Sequence, residues 1–145
     1  GTWLFGGSAA YHKMVLINNG IKTKDYQYNK IIAQEMKEKL GVTGKTVYGT
    51  VGTFCEAKNH PFIIELFASL YKKNKNAVLL IAGVKPDNEI MNKMIRDYDL
   101  QDSVKLLGLR SDIPNVLQCY DCYLMPSKWE GFPSTSFRIT LFCVE

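Results

Sequence analysis

Short apolar runs alternate along this chain with stretches of helical period, and that alternation predicts an α/β domain built on a mostly parallel sheet with helices on both faces. Thr46–Val51 is the first clear strand. Pro61–Lys73 follows with Phe62, Ile63, Leu66, Phe67, Leu70 and Tyr71 at the spacing that lines one helix face. Asn59 and Pro61 suit the start of that helix. Val78–Ala82 is a continuous apolar run, as burial on both faces of a parallel sheet requires. Asp87 is placed to cap a helix carrying Ile90, Met91, Met94, Ile95 and Tyr98. Val104–Leu107 is the third strand, Ile113–Gln118 a short helix begun by Asp112, and Cys122–Met125 the fourth strand. Upstream, Asn29–Leu40 reads as an amphipathic helix through Ile32, Met36 and Leu40, closed by Gly41.

At 145 residues and 46% hydrophobic, the chain can bury one core and is one domain by length. The net charge of +4 comes from scattered lysines, such as Lys72, Lys73 and Lys75 at a helix end, where they complement the helix dipole. No arginine-rich run or aromatic-interleaved basic stripe accompanies them, so the charge does not point to nucleic acid. A basic lobe is compatible with a place beside anionic lipid. No apolar run reaches the roughly 18 residues needed to span a bilayer, and no signal-peptide pattern opens the chain, so the expected location is cytoplasmic, with peripheral contact at the inner face of the membrane left open.

Cys119 and Cys122 form a C-x-x-C, with Cys55 and Cys143 elsewhere. The second ligand pair of a structural zinc is absent, and Cys122 falls within an apolar strand, so buried free thiols are expected and no metal site. His12 and His60 have no nucleophile or carboxylate partner nearby in sequence, and His60 reads as part of a helix start. Trp3, Phe5, Tyr26 and Tyr28 form an aromatic-rich stretch suited to packing.

The densest chemistry lies at Met125-Pro126-Ser127-Lys128-Trp129-Glu130-Gly131-Phe132-Pro133. An apolar strand ends at a proline, and a carboxylate stands before a glycine whose backbone a ligand can approach closely. Ligands of open α/β sheets bind outside the carboxyl ends of the strands, so Glu130 is a candidate ligand contact. Gly52 ends the first strand and Lys58 follows on the next loop, where amides and an ammonium can meet a diphosphate; an ordinary surface lysine fits the spacing equally. Leu109 and Arg110 follow the third strand, with Arg110 either near a ligand or simply solvated.

These motifs, taken with Val51-Gly52-Thr53-Phe54, Lys58-Asn59-His60, Ala82-Gly83 and Leu107-Gly108-Leu109-Arg110-Ser111-Asp112-Ile113, resemble in order and spacing the C-terminal nucleotide-sugar-binding half of retaining, GT-B-type group 1 glycosyltransferases. The family's last motif reads roughly P-S-x-x-E-G-F-P, and Val15-Leu16-Ile17-Asn18-Asn19-Gly20-Ile21 resembles its approach to this domain. The resemblance implies one Rossmann-like lobe of a GT-B fold over 46–145, with 1–45 a segment and helix joining it from an N-terminal acceptor lobe that this sequence does not include. The chain then reads as a piece of a longer protein, starting at Gly1 without an initiator Met. Its sheet is expected to be cut short after four strands, with an open edge at the last one, because the family's sheet usually continues with two more β/α units.

The resemblance further implies a metal-independent transfer, with no cofactor, of a sugar from a UDP- or GDP-sugar to a glycan or lipid-linked acceptor in bacterial capsular, exopolysaccharide or lipopolysaccharide assembly. It places a phosphate-binding lysine at Lys58, and puts Glu130, with the Gly131 and Phe132 amides, against the transferred sugar and donor phosphate. It puts the backbone of Leu109 and Arg110 against the nucleobase. Two positions depart from the family: Thr53 stands where an arginine is usual, and Arg138 where the second acid of E-x7-E would grip the ribose, although guanidinium accepts no hydrogen bond. These departures keep a second reading open, a nucleotide-binding module or degenerate fragment that transfers nothing.

Overall fold

The computed structural model describes residues 23–129. Four parallel strands form one sheet in the order β3-β2-β1-β4. They are β1 (Thr46–Val51), β2 (Ala77–Ala82), β3 (Val104–Gly108) and β4 (Cys122–Tyr123). The helices are α1 (Lys30–Lys39), α2 (His60–Lys73), α3 (Glu89–Asp97) and α4 (Ile113–Leu117), with 3-10 turns at Thr23–Tyr26 and Glu56–Lys58.

Both-face burial explains the unbroken apolar run of β2, all six of whose residues are buried. Its side chains alternate with the two-residue period of a strand. Leu79 and Ile81 join the core under α2 and α3, with Ile63, Phe67, Met91 and Ile95. Val78 and Leu80 join Met36, Val42, Val47 and Val116 under α1 and α4. The α1 helix is therefore part of this core. Tyr26 is buried as well, whereas Tyr28 is half exposed.

Several local expectations are corrected. Phe62 is 46% exposed, one step around α2 from the buried Ile63, and Ile90 and Tyr98 likewise lie outside the core of α3. That helix is capped by Asn88, whose Oδ1 accepts from Met91 N at 3.0 Å, not by Asp87. Strand β4 is two residues long, and Cys122 is exposed, so only Cys119 of the C-x-x-C is a buried thiol. Cys119 Sγ donates to Val116 O at 3.0 Å, and burial pushes its pKa up to about 11. A thiol held neutral in this way is a poor nucleophile at physiological pH.

The end of α1 follows the sequence closely. Gly41, at φ 64°, donates to Glu38 O, and Val42 N donates to Lys37 O, the paired bonds of a Schellman cap. Lys105 Nζ reaches from β3 to the Leu40 carbonyl at 2.6 Å. At the other end Asn29 Oδ1 caps the amides of Ile31 and Ile32, while Asn29 N donates to the buried Gln118.

Candidate functional site

The strand order makes β1 the switch point of the sheet. From β1 the chain steps to β2 and then β3 on one side, and it returns to pair β4 with β1 on the other. β2 lies on one side of β1 and β4 on the other, and the crevice outside the carboxyl ends at such a reversal of strand order is where doubly wound sheets take their ligands.

Gly52 lies at that opening. Its N–H donates to Ala82 O at 2.9 Å, and a Cβ on it would lie 3.2 Å from the Cγ, Cδ and Cε of Lys58. The aliphatic stem of Lys58 thus lies across the glycine. The turn carrying Lys58 ends at Asn59 in the left-handed conformation (φ 53°). Asn59 makes no side-chain cap for α2; its Nδ2 instead donates to Pro126 O at 3.3 Å. Lys128 N donates to Ala57 O at 2.8 Å, and Lys128 Nζ pairs with Glu56 at 3.0 Å. These three bonds fasten the segment after β4 to the Lys58 turn. Glu130, Gly131, Phe132 and Arg138, expected to complete the site, lie outside the described residues.

Two tyrosines shape the same crevice. Strand β4 leaves β1 after Tyr123, and the Tyr123 hydroxyl accepts from Val51 N and donates to Val51 O, each at 3.4 Å. The phenol thereby occupies the place that a longer strand would have filled. Tyr120 stacks against Tyr123 and donates to Thr50 O at 3.4 Å. Neither tyrosine stands out in the sequence as a site residue.

Around the corner, the ends of β1, β2 and β3 enclose a cavity of about 400 Å³ lined by Thr53, Phe54, Gly83, Lys85, Asp87, Asn88 and Leu109. Two of the predicted site residues, Thr53 and Leu109, therefore meet there, and Leu109 is 72% exposed. Lys85, Phe54 and Asn88 were not anticipated, because nothing in their local sequence separates a cavity wall from an ordinary loop. Gly83 N donates to Gly108 O at 2.7 Å and Gly108 N to Val84 O at 3.0 Å, which ties the rear of this cavity together.

Arg110 is not among the lining residues. Its Nε and Nη2 grip the two carboxylate oxygens of Asp112 at 2.8 and 2.6 Å. Asp112 occupies the first position before α4, yet its side chain caps no amide: the guanidinium takes both oxygens. The Arg110 hydrogen bonds hold the Asp112 carboxyl below its ordinary range, and Asp112 in turn raises Arg110. A depressed carboxylate adds stability above its unfolded pKa of 3.8 and loses it as pH falls through the lower folded value. Asp112→Asn is therefore expected to cost up to about 1 kcal/mol at pH 7. The gap from the unchanged chain should close as urea titrations are carried below pH 3.8. A gap independent of pH would show that the carboxylate charge is not what the loop uses.

His60, the first residue of α2, is fully buried against the Phe54 ring, with centroids 5.7 Å apart. Burial lowers its pKa, the Gly52 backbone pulls the other way, and the Lys58 charge lowers it further. The ring is thus neutral at physiological pH. Among the described residues no three His, Cys, Asp or Glu side chains cluster as metal ligands.

A four-stranded parallel sheet wound on both faces is a Rossmann-like architecture, of the kind found in the lobes of GT-B proteins. The family model described as "Glycosyl transferases group 1" matches residues 32–136, and the chain belongs to this family. It is 32% identical over 135 residues to the putative glycosyltransferase EpsF of Bacillus subtilis, covering 92% of this chain and 35% of that protein. It is 33% identical over 129 residues to the UDP-Gal:alpha-D-GlcNAc-diphosphoundecaprenol alpha-1,3-galactosyltransferase of Escherichia coli, covering 83% and 32%. The chain thus spans about a third of the length of these relatives. Among solved structures, HepE of Anabaena in complex with UDP-glucose superposes with a TM-score of 0.79 at 22% identity, covering 94% of this chain and 38% of HepE. WaaG, a glycosyltransferase involved in lipopolysaccharide biosynthesis, gives 0.76 at 19% identity, covering 90% and 36%. At these identities the structural likeness establishes the fold.

Proposed function

We propose that this chain is the donor-binding lobe of a retaining glycosyltransferase of polysaccharide assembly, taking a UDP- or GDP-sugar and delivering the sugar to a glycan or lipid-linked acceptor seated on another lobe. One observation carries the reading: Lys58 lies over Gly52 at the switch-point crevice, on a turn hydrogen-bonded to the segment that leads to Glu130. An ammonium at that place neutralises charge as the nucleoside diphosphate departs, and backbone amides add fixed dipoles. Glu130, with the Gly131 and Phe132 amides, orients the sugar. The cavity bordered by Leu109 takes the base, with the adjoining loop backbone reading its edge. Lysine electrostatics does here the work that a divalent cation does in other transferases. The relative named for galactosyl transfer from UDP-Gal and the UDP-glucose complex of HepE support the donor class.

Thr53, exposed and uncharged where an arginine is usual, favours a second reading, a lobe that binds nucleotide and transfers nothing. In the transferase reading, the absence of that arginine makes leaving-group stabilisation rest more heavily on Lys58. Calorimetric titration of the chain with UDP, GDP and their sugars tests the binding step common to both readings. Lys58→Ala is expected to weaken binding by about 1.5 to 3 kcal/mol, the worth of one charge-assisted contact. An unchanged dissociation constant would overturn the role of Lys58.

A further inference from the structure

The cavity at the ends of β1, β2 and β3 carries two charged side chains that the chemistry above leaves unused, Lys85 and Asp87. Both are exposed, and among the described residues neither closes an ion pair or a side-chain hydrogen bond. Opposite charges two residues apart can grip each other, as Arg110 and Asp112 do. Between Lys85 and Asp87 stands Pro86. Lys85 O accepts from Asn88 N at 3.1 Å, which closes a β-turn with proline in its second position, where the fixed φ of the ring sets the course of the chain. Asn92 Nδ2 donates to Pro86 O at 2.7 Å, and the Asn88 side chain is spent on capping α3. The two charges therefore ride on a turn fastened to the start of α3, and each remains available to a ligand. The facing walls are apolar: Phe54 packs on the buried His60 ring at 5.7 Å, and Leu109 shows 72% of its surface. Apolar walls with a few convergent polar groups suit a flat ring whose faces are apolar and whose edge is polar.

An ammonium only donates and a carboxylate only accepts, so the pair selects a ring edge of complementary pattern. A carbonyl beside a ring N–H satisfies both. Uracil offers that lactam edge at O4 and N3–H, and guanine at O6 and N1–H. Adenine and cytosine present the reverse order, an amino group beside an unprotonated ring nitrogen. We propose that Lys85 and Asp87 are specificity-determining residues for the nucleobase, Lys85 donating to the carbonyl and Asp87 accepting from the ring N–H of a lactam edge, alongside the loop backbone after β3. The tether through ribose to a diphosphate at Gly52 and Lys58 fixes which way round the base enters, so a base of reversed pattern leaves both charges unmatched. The inference rests on the donor-binding reading and goes beyond it in giving the discrimination between bases to two named side chains.

The test titrates the full chain in a calorimeter with UDP, GDP, ADP, CDP and inorganic pyrophosphate. The unchanged chain is expected to bind UDP, GDP or both at least about tenfold more tightly than ADP and CDP, the weight of one charge-assisted hydrogen bond. Which of the two binds more tightly tells uracil from guanine. Asp87→Ala is the sharpest variant, because electrostatics alone and base recognition predict opposite signs. Removing a negative charge beside an anionic ligand would by itself tighten binding. Loss of the acceptor should instead weaken the preferred nucleotide about tenfold, while pyrophosphate, which has no base, binds no more weakly than before. Lys85→Met should weaken the preferred nucleotide by a similar factor and shrink its lead over ADP and CDP.

Both positions are exposed and outside the core, so the variants should melt with the unchanged chain, and the comparison of the four nucleotides needs no variant at all. Equal binding of the four, a lead for ADP or CDP, or an Asp87→Ala chain that holds the preferred nucleotide as tightly as before would overturn the inference and leave the donor reading standing. If the unchanged chain binds no nucleotide, the donor reading falls and this inference with it.

Discussion

Replacing Gly83 with alanine is expected to cost about 3 kcal/mol or more and to abolish nucleotide binding, because two penalties act at one backbone position. Gly83 has φ +98°, a region that L side chains rarely adopt, and a Cβ there would lie 2.5 Å from the Gly52 carbonyl oxygen. The obstacle is backbone, which no rotamer change relieves. Relief requires the ends of β1 and β2 to move apart, breaking the Gly52 N to Ala82 O bond and carrying Gly52 away from the stem of Lys58. Urea unfolding reads the first loss and titration calorimetry the second. A variant within 0.5 kcal/mol of the unchanged chain would show that this junction yields more readily than close-packed backbone should.

Gly49→Ala is expected to be destabilising by about 3 kcal/mol, although glycine to alanine within a strand ordinarily stabilises by about 0.5 to 1 kcal/mol. The reversal comes from Tyr120, whose ring lies flat on Gly49 and occupies the space a Cβ would need. To admit a methyl group the ring must swing out, giving up its hydrogen bond to Thr50 O and its stacking on Tyr123. Tyr123 holds Val51 through its hydroxyl, so the disturbance runs to the edge of the crevice. A double-mutant cycle with Tyr120→Ala isolates the effect: once the ring is removed, Gly49→Ala should become neutral or stabilising. If the cost persists without the ring, the explanation is wrong.

How legible the site was can be judged residue by residue. Gly52 and Lys58 were identified from a glycine at a strand end and a lysine on the following loop, and the structure joins them in direct contact. Thr53 and Leu109, more than fifty residues apart, come together as walls of one cavity. The sequence allows Arg110 a place near a ligand or in solvent; the structure pairs it with Asp112, and the same bond takes from Asp112 the capping role its position suggests. Local sequence offers both pairings, and their competition is settled only by three-dimensional geometry.

The sequence by itself determined the elements and the class. The period-two and helical patterns delimit β1, β2, α1 and α2 to within a residue or two, and the all-apolar β2 announces a parallel sheet covered on both sides. These features are local, each set by the spacing of apolar residues within about a dozen positions. Only the tertiary structure decided the rest. It set the strand order that makes β1 the switch point, left Phe62, Ile90, Tyr98 and Cys122 exposed, and aimed Asn59 at Pro126 across 67 residues of chain. It also laid Tyr120 on Gly49 and the stem of Lys58 across Gly52. The reason is physical. Each of these outcomes depends on which distant side chain or strand fills a given space, and spacing along the chain carries no record of that neighbour.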